Sequence, residues 1–117
     1  MTLLPLHNEA PLIVAGLGQI PGVAAAHRGW PKDFESLPCI AVTEAGNAPA
    51  DSRDDREYLT ELEYYVRVFA VKAEQIDAIA SAVEDTMLGL NYTRTFCWDD
   101  DSADIRQKVM RYKKLKG

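Results

Sequence analysis

The sequence predicts an α+β fold with a largely antiparallel sheet and helices packed on one face of it. Five segments have the composition of strands and two have the periodicity of helices, in the order α-β-β-β-α-β-β. Strands that follow one another with few helices between them are typical of this architecture. The chain has 117 residues, 47% of them hydrophobic, which predicts a single domain over residues 1–117.

The N-terminal third predicts a short helix and two strands. Residues 6–17 form the helix, with Asn8 as its N-cap and Pro11 in the first turn, where a missing N–H costs no hydrogen bond. The alanine-rich run 23–27 predicts a strand of low intrinsic propensity. Residues 37–44, rich in apolar side chains and followed by a glycine, predict a firmer strand.

The strongest strand pattern covers residues 57–71, where apolar and polar side chains alternate. One face of this strand consists of Leu62, Tyr64, Val66, Val68 and Ala70; the other consists of Glu61, Glu63, Tyr65, Arg67 and Phe69. The pattern is much longer than a usual strand of about five or six residues. Such a strand either bends or extends beyond its own domain.

A helix and a hairpin complete the predicted order. Apolar side chains recur at helical spacing over residues 73–88, which predicts an amphipathic helix, and Gly89 is a natural stop. Residues 91–98 and 105–114 then predict two strands, joined by the acidic turn 99–104.

A polar stretch separates the strands 37–44 and 57–71 and predicts a mobile loop over residues 45–56. Its glycine, asparagine, proline and serine, with alternating aspartate and arginine, suit solvation and mobility. A connection of about a dozen residues in a compact domain is often functional. The loop is therefore either an assembly contact or a tolerated surface insertion.

The sequence contains no motif for catalysis or for a cofactor, so we expect neither an enzyme nor a resident metal. His7 and His27 have no other ligand at a metal-binding spacing, and Cys39 and Cys97 lie outside nucleophile motifs. Both cysteines are expected to be buried and reduced, with a disulfide as the alternative. The acidic turn 99–104 could hold a cation, but it lacks the glycine and distal glutamate of an EF-hand loop, and a solvated turn is the simpler interpretation.

Charge and hydropathy limit the kinds of partner that we expect for this protein. No run approaches the ~18 apolar residues of a membrane span, and the N-terminus lacks the positive region of a secretory signal. Residues 51–104 hold fourteen acidic and five basic residues, whereas the last thirteen hold six basic and no acidic ones. The acidic body would repel a polyanion, so we do not expect a nucleic-acid partner. The acidic body and the basic C-terminal strand could attract one another between copies of the protein, or could neutralise one another within one chain. Lysines on a strand at the edge of a sheet also prevent uncontrolled pairing with other strands.

Taken in order, these segments resemble the small tail-completion proteins of long-tailed bacteriophages, also described as tail-terminator or tail-to-head joining proteins. The resemblance covers residues 34–114, and Leu90-Asn91 separates its glycine from the aromatic residue that follows. The residues that carry it are Pro38 and Ile40, the strand 62–71, Met87, Gly89, Tyr92, Arg94, and the pair Arg111 and Tyr112.

The resemblance implies a non-catalytic structural protein, without a cofactor, that assembles into a ring, commonly of six copies. Its partners would be the tail tube protein, the head-connector or head-completion protein and other copies of itself. It would reside in the virion at the head–tail interface, and in the bacterial cytoplasm during assembly. The alternative is a small cytosolic regulatory module that binds a partner through its sheet edge. The candidate interface residues are Asp51, Arg53, Asp54, Asp55, Arg56, Glu61, Glu63, Tyr65, Arg106, Lys108, Arg111 and Lys113.

Overall fold

The computed structural model describes residues 6–51, 59–101 and 103–117, without the side chains of residues 50 and 51. The predicted order of elements is confirmed in this part of the chain. The elements are α1 (Ala10–Leu17), β1 (Ala25–Arg28), β2 (Cys39–Asp51), β3 (Leu59–Ala70), α2 (Ala73–Gly89), β4 (Thr93–Asp100) and β5 (Arg106–Lys116).

The strands form one sheet in the spatial order β1-β2-β3-β5-β4. β1 runs parallel to β2, and the other three pairings are antiparallel, which confirms the predicted α+β class. β3 and β5 lie inside the sheet, whereas β4 pairs only with β5 among the described strands. The terminal strand β5 is therefore an inner strand, and its lysines do not guard a sheet edge.

Both helices pack on the same face of the sheet, here called the helix face. The alternation predicted for β3 is confirmed, because Leu62, Tyr64, Val66 and Val68 are fully buried on this face. The stripe predicted for the long helix lies against them, and α1 adds a shorter apolar side. The helix residues in this core are Ala10, Ile13, Leu17, Ile76, Ile79, Val83 and Met87. Burial of this continuous apolar surface is the main force that holds the helices on the sheet.

The largest difference from the prediction concerns β2, which continues through Asp51 instead of ending near residue 44. Residues 45–51 of the predicted loop are therefore paired with β3, through two irregularities after Glu44 and after Pro49. The long β3 offers a row of backbone donors and acceptors to a neighbouring strand, and pairing with it outweighs the turn-forming composition of residues 45–51. The rest of the predicted loop, 52–56, lies outside the described residues.

Two smaller predictions are wrong. Helix α1 begins at Ala10 rather than near residue 6, with Glu9 as its N-cap residue, although the Asn8 Oδ1 accepts a hydrogen bond from the Ala10 N–H at 3.3 Å. Cys97 is exposed rather than buried, because β4 has no neighbour on its outer side among the described strands. Cys39 is buried, and both thiols are free, so the alternative of a disulfide between them is not realised.

Candidate interaction surface

In the part of the chain that the structure describes, the face of the sheet opposite the helices, here called the open face, is covered at one end only. Trp30 and Phe34, from the connection between β1 and β2, lie against Phe69 with ring centroids 5.6 and 5.0 Å apart. Beneath them Cys39 and Ala41 are buried, and burial raises the pKa of the Cys39 thiol. This cover forms a second, small apolar cluster, separate from the main core.

Arg67 marks the boundary of that cover. Its guanidinium lies 4.9 Å from the ring centroids of both Trp30 and Tyr65, and its Nη1 donates to the Thr43 Oγ1 at 2.9 Å. Burial lowers the pKa of Arg67 from its usual value, but an arginine remains charged at neutral pH. Two stacked rings and a hydrogen bond therefore hold this cation in one position on the open face.

Beyond Arg67 the open face is uncovered and partly apolar. Phe96 and Trp98 on β4 are 53% and 44% exposed, and Leu115 near the end of β5 is 53% exposed. From Thr93 to Asp99 every residue of β4 is exposed, on both faces of the sheet. Exposed aromatic residues on an edge strand are typical of a protein–protein contact rather than of a free surface. The sequence analysis missed these residues, since nothing in the residue pattern shows that β4 is the edge strand.

The candidate interface residues in the hairpin tip are only partly described. The backbone of Asp51 pairs with β3 at Leu59, but its side chain is not described. Arg53, Asp54, Asp55 and Arg56 lie outside the described residues. Their role in assembly therefore remains a prediction.

The candidates on β3 do lie together on the open face, half-buried and next to β5. Glu63 accepts a hydrogen bond from the Arg111 Nε at 3.0 Å, and the Arg111 guanidinium lies 5.8 Å from the Tyr65 ring centroid. The hydrogen bond from Arg111 lowers the pKa of Glu63. Glu61 lies two residues along the same face, and Lys113 is opposite Glu63 in the pairing register. The structure thus brings five of the predicted residues into one polar strip.

The other candidate cations of β5 point to the helix face and are paired within the chain. The Arg106 Nη1 lies 3.4 Å from the Asp101 Oδ1, and the Lys108 Nζ lies 3.2 Å from the Asp99 Oδ1. The acidic turn and the basic strand are neighbours in the hairpin, so much of the opposite charge seen in the sequence is neutralised inside one molecule. Surface pairs of this kind contribute about 0–1 kcal/mol each.

A buried ionic cluster around Glu9 joins the start of α1 to the end of β5. The Glu9 carboxylate accepts hydrogen bonds from the Tyr92 hydroxyl at 2.9 Å, from the Lys114 Nζ at 2.8 Å and from the Lys116 Nζ at 2.5 Å. Its backbone N–H donates to the Tyr64 hydroxyl oxygen at 3.1 Å. Burial alone would raise the pKa of Glu9, but the hydrogen bonds from the two lysines and Tyr92 lower it to about 2. Two lysines of the basic strand are thus structural.

The described surface has a polar groove beside β4. A groove of ≈ 500 Å³ runs between α2 and β4 and is lined by Asp77, Glu84, Asp85, Arg94 and Lys108, among others. Within residues 6–51, 59–101 and 103–117 no group of His, Cys, Asp and Glu side chains is placed to hold a metal ion. In the same part of the chain, neither helix is long and apolar enough to cross a bilayer.

Comparison with known proteins finds similarity among solved structures. No protein-family model matches this sequence, and no curated protein matches it significantly. Among solved structures, a chain from the "Virion of native gene transfer agent (GTA) particle" superposes with a TM-score of 0.58 at 16% sequence identity. The match covers 91% of this chain and 85% of that chain. At this identity the similarity shows a shared fold.

Proposed function

We propose that this protein is a structural component of a bacteriophage virion that completes the tail and joins the tail tube to the head connector. The observation that carries the proposal is the fold shared, over most of both chains, with a chain of a virion particle. The tail-completion role comes from the sequence resemblance, which leads to the same class of protein from the order of motifs. In this role the protein acts by binding and not by catalysis.

The shape and surface of the molecule suit such a role. Its extents are 51 × 24 × 22 Å, and β2, with thirteen residues, spans roughly 40 Å at about 3.3 Å per residue. The β2–β3 pair is therefore nearly as long as the molecule, and the end of its described part, at Asp51 and Leu59, suits a contact with a neighbouring subunit. The uncovered part of the open face offers a second contact area, so one subunit can contact the tube, the connector and other copies in a ring.

Tail tubes incubated with the purified protein test this proposal directly. We expect negative-stain images to show added density at one end of the tubes, with averaged end views that show a ring. Tubes alone, and tubes with an unrelated protein of equal charge, are the controls. Tube ends that stay bare at protein concentrations well above that of the ends would overturn the proposal.

A charge variant of the hairpin tip tests the loop prediction within the same assay. Replacing Asp51, Asp54 and Asp55 by asparagine is expected to leave the fold intact and to lower the occupancy of tube ends. The matched control replaces Glu74, Asp77 and Asp85, which are exposed on α2, by their amides. Equal occupancy with both variants would show that the loop is an inert insertion.

A second candidate function is a small module that binds an extended peptide of a partner protein at its sheet edge. The exposed edge of β4 favours it, because the free side of an edge strand can accept another strand through backbone hydrogen bonds. Tube ends that stay bare, together with peptide-induced NMR amide shifts confined to residues 93–100, would favour this candidate over the first.

A further inference from the structure

The outer edge of β4 is a free edge of the described sheet. β4 contains neither proline nor lysine, and its residues from Thr93 to Asp99 are exposed. The opposite edge consists of the four residues of β1 and, beyond them, of the distal half of β2, which carries Pro49 and two irregularities. Natural proteins protect a free strand edge with such features or cover it with another chain. The free outer edge of β4 is therefore a candidate site for pairing with a strand of another chain.

The pairing of β4 with β5 sets the face of each β4 side chain. Arg94 is opposite Tyr112 and Phe96 is opposite Arg111, so Thr95 is the extra residue of a bulge. Phe96 and Trp98 therefore share the open face, whereas Arg94, Cys97 and Asp99 share the helix face. Because the bulge residue Thr95 takes no position of its own in the pairing, Arg94 and Asp99 each lie two positions from Cys97. Phe96 and Trp98 each lie one position from Cys97.

This arrangement makes β4 complementary to itself. When two copies are placed antiparallel about a two-fold axis at Cys97, Phe96 of each copy lies opposite Trp98 of the other on the open face. On the helix face, Arg94 of each copy lies opposite Asp99 of the other, and both side chains are about half exposed. Aromatic pairs and opposite charges directly across two strands each stabilise a sheet. Without the bulge, Thr95 would take the place of Arg94 and the charge pairs would be lost.

We propose that two copies of the free protein associate through their β4 edges, antiparallel and in the register centred on Cys97, to form one continuous sheet. The charge pattern of the strand itself identifies the occupant as a second copy. In this two-fold arrangement Arg94 and Asp99, which contact Glu84 and Lys108 within their own chain, each also face an opposite charge across the strand edge. The pairing is isologous and closes after two copies. It concerns the free protein and does not depend on the proposed role in the virion.

Oxidative cross-linking tests the register. Opposed residues in an antiparallel pair have Cα atoms about 4.5–5.5 Å apart, within the about 4.4–6.8 Å that a disulfide spans. Diamide, which takes up the two thiol hydrogens and is reduced to the hydrazine, is expected to convert the wild type and the Cys39→Ser variant to a covalent dimer. Cys97→Ser should remain monomeric on a non-reducing gel. Absence of cross-linking at concentrations where light scattering shows a dimer would overturn the proposed register.

A mixing experiment tests the charge pairs. Arg94→Asp alone places two acidic side chains opposite one another, and Asp99→Arg alone places two basic ones there, so each variant is expected to self-associate about tenfold more weakly than the wild type. An equimolar mixture restores opposite charges at both positions and should form a heterodimer of near wild-type affinity. Sedimentation velocity measures association, and circular dichroism confirms that each variant is folded.

Three results would overturn the proposal. The first is a wild type that stays monomeric up to high concentration. The second is a mixture that associates no better than its two components. The third is a pair of single variants that dimerise as tightly as the wild type, which would place the contact elsewhere on the molecule.

Discussion

The covered and uncovered parts of the sheet differ although the same strands run through both. On the helix face, Leu62, Tyr64 and Val66 have no exposed surface. On the open face, Glu63 and Tyr65 of the same strand are half-buried and interact with Arg111, while Phe96 and Trp98 of β4 remain exposed. The alternation of side chains is equal on both sides, so the cover supplied by helices and loops makes the difference. Burial against the helices stabilises the covered part, whereas the uncovered part leaves side chains accessible to solvent.

The largest expected contrast is in thiol reactivity, because Cys39 lies in the covered part and Cys97 in the uncovered part. In the native monomer we expect a thiol reagent to label Cys97 at least about a thousandfold faster than Cys39, which reacts only when the structure opens. Mass spectrometry after timed labelling measures both rates, with the urea-unfolded chain as the control. Equal rates under native conditions would show that the cover over Cys39 is not tight.

Two leucines on neighbouring strands make the next comparison, in stability. Leu62→Ala is expected to lower the free energy of unfolding by about 2–5 kcal/mol, because it leaves a cavity in the main core. Leu115→Ala removes the same atoms from a side chain that is 53% exposed and should cost less than about 1 kcal/mol. Urea unfolding of dilute protein measures both. Similar losses would mean that the open face is covered in solution.

The Glu9 cluster makes the covered part sensitive to acid. The folded pKa of Glu9 is about 2, below its ordinary value of 4.5. The stabilisation is therefore complete above about pH 4.5 and is lost as the pH falls toward 2, which amounts to roughly 3 kcal/mol. Glu9→Gln should be less stable at pH 7 and should lose less stability between pH 5 and pH 2 than the wild type does.

The exposed Glu74 of α2 provides the matched control for that experiment. Glu74→Gln should follow the wild-type dependence of stability on pH, measured by urea unfolding at each pH. A Glu9→Gln variant that keeps the full wild-type acid dependence would place the responsible carboxylate elsewhere.

The smallest expected effect comes from the ion pair on the open face. A double-mutant cycle with Glu63→Gln and Arg111→Gln should give a small favourable coupling energy, since Arg111 donates a hydrogen bond to the Glu63 carboxylate. The same cycle on Glu84 and Arg94, which are 3.9 Å apart and more exposed, should give a value near zero. A larger coupling energy for Glu84 and Arg94 than for Glu63 and Arg111 would contradict this prediction.

The sequence was most informative where the signal is local. The helix over 73–88 was within one residue of α2, and the alternation in β3 identified its buried face, because both follow from the spacing of apolar residues. It was least informative where a neighbouring element determines the conformation or the contacts of a segment. The composition of residues 45–51 favours a loop, but β3 holds them as a strand, and Lys114 and Lys116 look like surface residues until Glu9 is placed beside them.

The local residue pattern predicts the type and order of the elements and the face that each long element buries. The position of β5 between β3 and β4 is set by tertiary contacts, and this order leaves β4 at the edge of the sheet. Strand order depends on contacts between residues far apart in the chain, whose energies no local pattern contains. For that reason the sequence predicts only an ordinary strand around Phe96, Cys97 and Trp98. The fold shows that this strand lies at an exposed edge of the sheet.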